Sequence, residues 1–424
     1  MAFQPINITP GAMHLATPQQ SAGRWYEVDH VRWRDGRMFP IGAQQRMTQQ
    51  PTGTAARLLF GWKSVNGVKN LAVGGEQNLY VIEGDTPRDI TPDEFVGMEP
   101  IEGGGYGEWY YSREEYGTPR PEGSQGYRTA HGWSMDNFGD VLLTVFSRDG
   151  RLLEYNPNAV PAQDKATEVP GAPQGNIAVV VSDERHAVVL GVNGNPRRVA
   201  WSGKEDYSNW AFEDGSSLAG FLDIDSPNLL TMCAKVRDGI LIWTQDEVWM
   251  LRYVGLPYVY GIERLESGCG LLSPRSFAVT PSGGCIWMGR SGFWSYEGGV
   301  VRSVPCEVSG KIYKTIDART AAVFASGSYN GVFDEAWFIY PANESSSSKY
   351  RYVMINPSER WWSFGSIDAT CMAPAGLYPN PVCANEAGHV FVMEKGQIDN
   401  AFAETGSINI AQGSRVGQDR KSVV

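Results

Sequence analysis

Short apolar runs broken by polar turns recur from one end of the chain to the other, and amphipathic helical periodicity is nearly absent. The pattern is clearest over 240–299. Residues 240–255 read ILIWTQDEVWMLRYVG and residues 285–299 read CIWMGRSGFWSYEGG. Each is an apolar strand, a short polar turn and an apolar-aromatic strand, which predicts a β-hairpin. Aligned on their turns, Trp249 falls on Trp294, 45 residues later.

The same unit is legible at 58–84, 141–155, 187–201, 336–355 and 382–394, with Asn66-Gly67, Asp149-Gly150 and Asn193-Gly194 as turn signals. Equivalent second-strand positions are Tyr80, Leu152, Ala200, Trp249, Trp294, Val353 and Phe391. Repeats of this length built only from short strands predict an all-β fold, a β-propeller of six to seven blades over 23–402. One blade alone leaves an apolar face uncovered, so stacking against its neighbours is what stabilises it. Residues 1–22 read as an irregular arm, and 403–424 as a C-terminal segment. The isolated hairpin around Trp33, Asp35 and Gly36 is expected to complete the last blade, as N-terminal strands in propellers commonly do. The stretch 196–225 reads as a connection between blades with Trp201 and Trp210 wedged between sheets.

Residues 93–138 interrupt the spacing with an insertion dense in Gly, Tyr and Trp, too long for an ordinary turn. Exposed aromatic side chains favour interfaces. Tyr106, Trp109, Tyr110, Tyr111, Tyr116 and Tyr127 are therefore the candidate contacts with a subunit or partner.

Composition narrows the function. The 424 residues carry a net charge of −11, with no long basic run, which argues against a nucleic-acid clamp. The six cysteines form no CxxC pair and read as buried, reduced thiols of a protein folded in the cytoplasm. The N-terminus lacks the features of a secretion signal, and no apolar stretch approaches the ~20 residues of a membrane span. The five histidines are scattered, there is no GxSxG elbow, and no His or Cys spacing suggests a metal. No catalytic residue, metal or cofactor is expected. Among enzyme chemistries a glycosidase fits best, with Asp206, Glu213, Asp214 or Glu335 as carboxylates. A carbohydrate- or receptor-binding propeller is the stronger alternative to a structural role.

Several segments together resemble the tail nozzle or tail-hub proteins of short-tailed bacteriophages, also called packaged-DNA stabilisation or tail tubular proteins. They are GRWYEVDHVRWRDG at 23–36, the run at 58–80 ending NLAVGGEQNLY, and GGGYGEWYYSREEYG at 103–117. WSMDNFGDVLLTVFSRDGRLLEY at 133–155 and RRVAWSGKEDYSNW at 197–210 follow, then GCGL at 268–271, GRSGFWSYEGG at 289–299 and AETG at 403–406. The resemblance implies a propeller subunit of a virion ring, a homohexamer fixed to the portal or head–tail adaptor and contacting tail needle, spike or fibre proteins. Such a ring retains the packaged genome and later lets it be ejected, with DNA passing through without specific binding. Similar chains often run on past the AETG-like segment, so 403–424 is expected to begin a distal region that is missing or short. Acidic walls suit a conduit, because they repel phosphate, and six copies would each bring a charge of −11.

Overall fold

A computed structural model describes residues 8–14, 17–98, 130–214, 217–343, 346, 348–398, 400–409, 416–417 and 420–422. Its organising unit is a four-stranded antiparallel sheet, a to d from the axis outward. The first blade takes 56–63, 69–75, 79–83 and 86–89, and the second 133–138, 141–146, 152–155 and 167–168. The third takes 178–181, 187–190, 198–201 and 220–223, and the fourth 230–236, 239–244, 247–255 and 259–267. The fifth takes 277–279, 285–288, 293–297 and 300–304, and the sixth 326–330, 335–341, 350–355 and 362–366. The seventh has 371–373, 382–384 and 390–392, and its fourth strand is Gln45–Arg46.

Each a strand packs against the a strand of the next blade, and the seventh returns to the first, so the wheel closes. The protein is a seven-bladed β-propeller. The seven repeat positions read from the sequence all lie on c strands, one per blade.

The core lies between the blades, because each sheet presents an apolar face to its neighbour. Between the first and second blades, Leu58, Trp62, Trp133, Phe146 and Tyr155 form one cluster. Gly74 is part of that fit: a Cβ there would meet the Trp133 ring at 2.7 Å. Gly74→Val is therefore expected to destabilise the fold by about 1–3 kcal/mol through overpacking, a loss readable in chemical denaturation.

The hairpin of 31–34 and 37–40 does form, with Asp35 and Gly36 at φ 50° and 71°, the two positive values a tight primed turn requires. It does not complete a blade. Its two strands pair only with each other, and the closing strand is Gln45–Arg46, which pairs with Val392 and Phe391. The turn chemistry specified a hairpin but not its partner, and a polar Gln-Arg dipeptide carries no strand signal. Trp33 is buried against the sixth blade, where Ser363 Oγ donates to the Val31 carbonyl at 2.6 Å.

The two chain ends meet in a further sheet of 9–12, 24–29, 402–405 and 420–422, packed on the outer strand of the sixth blade. Two short helices, 309–315 and 318–324, connect the fifth and sixth blades. The stretch 196–225 lies within the third blade and not between blades. Trp201 is on its c strand, and Trp210 is in the long c–d turn. Both indoles are nonetheless wedged between sheets, Trp201 toward the fourth blade and Trp210 toward the second.

Candidate functional site

Blade topology sorts every loop onto one of two faces. The a–b and c–d turns open on one face; the b–c turns and the d–a connections open on the other. The insertion joins the d strand of the first blade to the a strand of the second, so it leaves from the d–a face, as do the two helices. Trp133–Phe138 is itself the second blade's a strand, so the insertion ends before it. The candidate contacts Tyr106, Trp109, Tyr110, Tyr111, Tyr116 and Tyr127 lie outside the described residues.

The most heavily charged buried cluster sits where the Trp33 hairpin meets the sixth and seventh blades. Arg32 Nε lies 2.8 Å from Glu335 Oε1, and Arg32 Nη2 donates to Glu335 Oε2 at 3.1 Å and to Glu394. The guanidinium also lies over the Phe333 ring, 3.6 Å from its centroid. Glu394 accepts from the Gly42 amide at 2.8 Å, and the Trp337 indole donates to Glu335 at 2.9 Å. Two carboxylates thus share one cation, in a site only 3–7% exposed.

Burial, partly offset by Arg32, raises the Glu335 carboxyl to about 7. An unfolded Glu titrates near ~4.3, so the folded state binds this proton more tightly; the stability it brings is full below the unfolded value and is lost as pH rises through about 7. The thermal midpoint is expected to fall between about pH 5.5 and 8, and the fall to shrink in Glu335→Gln. Parallel melting curves for the two proteins check this.

The candidate carboxylates do not converge. Glu335 is enclosed by Arg32 on the second strand of the sixth blade, while Asp206, Glu213 and Asp214 occupy the third blade's c–d turn. The Asp206 carboxylate accepts from Ser208 through both its amide and its hydroxyl, at 3.0 and 2.6 Å, which is the geometry of a local turn.

A Ser–Asp–His cluster is present among the described residues, but its order is wrong for a nucleophile. Ser366 Oγ donates to Asp29 Oδ2 at 2.8 Å, and His30 Nδ1 lies 3.0 Å from Asp29 Oδ1. The serine therefore meets the carboxylate and not the imidazole that would have to take its proton. His186 is buried with Nδ1 2.7 Å from the Ser202 carbonyl, and burial lowers its pKa, so it serves as a neutral strut. No group of three or more His, Cys, Asp or Glu side chains suited to a metal occurs among the described residues. All six cysteines are free; five are buried, and Cys306 is half-buried.

A pocket of about 440 Å³ lined by His30, Tyr350, Ser366 and Glu386 opens on the b–c/d–a face, beside the Ser–Asp–His cluster. Two further open features lie on the a–b/c–d face. One is a cleft of about 860 Å³ between the fifth and sixth blades, floored by Ile286, Ile355 and Trp362 and rimmed by Arg302 and Arg360. The other is the overlong c–d hairpin of the fourth blade. Its b strand pairs with the c strand only as far as Leu251, so residues 252–261 form a two-stranded tongue beyond the blade. Neither feature was legible in the sequence, since the tongue's Tyr, Val and Leu residues read as ordinary strand.

No protein-family model matches this chain, and no curated protein matches it. Solved structures that it is similar to include virginiamycin B lyase of Staphylococcus aureus, 9% identical over 68% of this chain and 84% of that one, with a TM-score of 0.41. The Pan2 WD40 domain of Neurospora crassa is 8% identical over 81% and 90%, with a TM-score of 0.45. The Cps50 (Swd1) β-propeller domain of Myceliophthora thermophila is 7% identical over 83% and 99%, with a TM-score of 0.47. At these scores the likenesses carry no inference about activity or partners. The propeller assignment stands on the chain's own strand order.

Proposed function

We propose that this chain is a structural subunit of a ring in the tail of a short-tailed bacteriophage, made in the host cytoplasm and incorporated into the virion. The ring is a homohexamer seated on the portal or head–tail adaptor, with needle, spike or fibre proteins beyond it. It closes the DNA channel until ejection and reacts with nothing. The observation that carries this reading is the use to which the fold puts its reactive side chains. Arg32, Glu335, Glu394, Asp29 and His186 all hold blades or hairpins together, and the candidate carboxylates Asp206, Glu213, Asp214 and Glu335 do not converge on a common site. The acidic balance and the ordered segments resembling tail nozzle proteins support the same reading.

Size-exclusion chromatography of the full chain with a purified portal–adaptor complex from a short-tailed phage tests it. Co-elution as a ring is expected. A monomer that ignores the complex and is retained on a glycan column would favour a carbohydrate-binding propeller instead. Release of reducing ends from polysaccharide would make it a glycosidase.

A further inference from the structure

The seven a strands surround the axis of the wheel, and at the d–a end the space between them is shut. Gly132 leads into the a strand of the second blade and Pro274 into that of the fifth, on opposite sides of the wheel. A Cβ on Gly132 would nonetheless meet the Pro274 Cβ at 3.1 Å and Met232 of the fourth blade at 3.8 Å, so the two connections touch across the axis. Phe324, which ends the second helix just before the sixth blade, reaches over to the first, where the Arg57 guanidinium lies 3.7 Å from its ring centroid. The axial channel is therefore a well, closed at its d–a mouth.

Arg275 follows Pro274 into this well. Its carbonyl accepts from the Gly327 amide of the sixth blade at 2.7 Å, and its guanidinium lies 4.8 Å from the centroid of the Phe277 ring. The titratable groups that bear on its charge are Cys233 on the fourth blade's a strand and Cys371 on the seventh's. Those strands stand on different sides of the wheel, so a side chain that senses both points to the axis. The residue keeps some solvent contact although protein encloses it, as a group facing an internal channel does. Burial pulls the guanidinium down to about 10, which leaves it charged at neutral pH.

Nothing among the described residues answers that charge. Arg275 Nε is buried without a hydrogen-bond partner, and the side chain forms no ion pair. The two thiols are neutral, since burial pushes Cys371 up to about 11 and Cys233 higher still. The seven a strands carry a single acid, Asp136, whose carboxylate accepts from the amides of Val181 and Asn137, both at 2.8 Å. Arg57 and Lys235 on the same strands do have partners, Glu76 at 2.5 Å and Asp183 at 3.8 Å. An enclosed charge without a counter-charge costs stability, and an ion that reaches it relieves the cost. One guanidinium calls for one negative charge. Phe277 and the two thiols offer little to replace the water of a strongly hydrated ion, so a weakly hydrated one fits.

We propose that the closed end of the axial well binds one small, weakly hydrated monovalent anion of the halide type, held by Arg275. The site stands apart from the ring reading and calls on no phage component.

Bromide is the probe. In crystals of the full-length protein soaked in sodium bromide, an anomalous peak in contact with the Arg275 guanidinium is expected. In solution, exchanging gluconate for bromide at constant ionic strength should raise the thermal midpoint by about 1–3 °C for each tenfold increase above the dissociation constant. The rise should vanish in Arg275→Met, and that variant should melt above the parent in gluconate, because it no longer encloses an uncompensated charge. Arg275→Lys keeps the charge and should keep part of the rise. Crystals with bromide elsewhere and no peak at Arg275 would overturn the site, as would a bromide dependence of equal size in Arg275→Met. The soak uses the unmodified chain, so it decides the matter whether or not the variants fold.

Discussion

Arg32→Met is expected to destabilise the folded chain by about 3–5 kcal/mol, among the largest single-residue effects in the protein. Arg32 is only 3% exposed and bridges Glu335 on the sixth blade to Glu394 just past the seventh blade's third strand. Removing the cation leaves two buried carboxylates facing each other, and the cost of a buried, uncompensated charge exceeds what the ion pair itself contributed. The sign of the pH dependence follows. With Arg32 gone, the buried Glu335 carboxyl loses the cation that offsets its desolvation and favours its protonated form more strongly, so the variant should recover part of its loss below about pH 5. Chemical denaturation at two pH values reads both effects. Equal stability of variant and parent at neutral pH would show that the cluster does not hold the hairpin to the wheel.

Trp287→Ala should cost about 3–5 kcal/mol as well, by a different mechanism. Trp287 is fully buried on the second strand of the fifth blade. Its ring meets Trp243 of the fourth blade edge-on, with centroids 5.6 Å apart, and its indole N–H donates to the Cys269 carbonyl at 2.7 Å. Alanine would open a cavity between two blades and leave that carbonyl without its donor. Trp287→Phe keeps most of the apolar contact and should lose appreciably less. Equal losses for Phe and Ala would mean that the hydrogen bond, and not the packing, holds this seam.

The blades were legible because each repeats one local instruction. An apolar run, a polar turn and a second apolar run fix a b–c hairpin without reference to distant residues, and seven such units gave seven c strands. Closure was not legible. Gln45–Arg46 becomes a strand only because the seventh blade offers it an unpaired edge, and no local pattern encodes that. The Asp35-Gly36 turn was read correctly as a turn and assigned wrongly as the closure, since turn chemistry is blind to tertiary partners.

Buried charge was the other blind spot. Arg32 sits between Val31 and Trp33 in the sequence and looks like a solvent-facing strand position, yet it is among the most enclosed cations in the fold. Its partners are 303 and 362 residues away in the chain. Nor could periodicity separate the tongue from the blade it extends. The residues past Leu251 continue the apolar strand, and only the shorter b strand beside them reveals the overhang.

The wheel is sealed by its own N-terminal segment, Gln45–Arg46. The most direct test of this closure is a disulfide across the seal. Gln45 and Val392 are paired across the seventh blade's outer ladder, so Gln45→Cys with Val392→Cys places two thiols on facing strands. The oxidised full-length variant should form this bond nearly completely and gain up to about 3–5 kcal/mol from closing so long a loop. Two thiols that stay reduced under oxidation, or a bond that forms only after denaturation, would contradict the closed wheel.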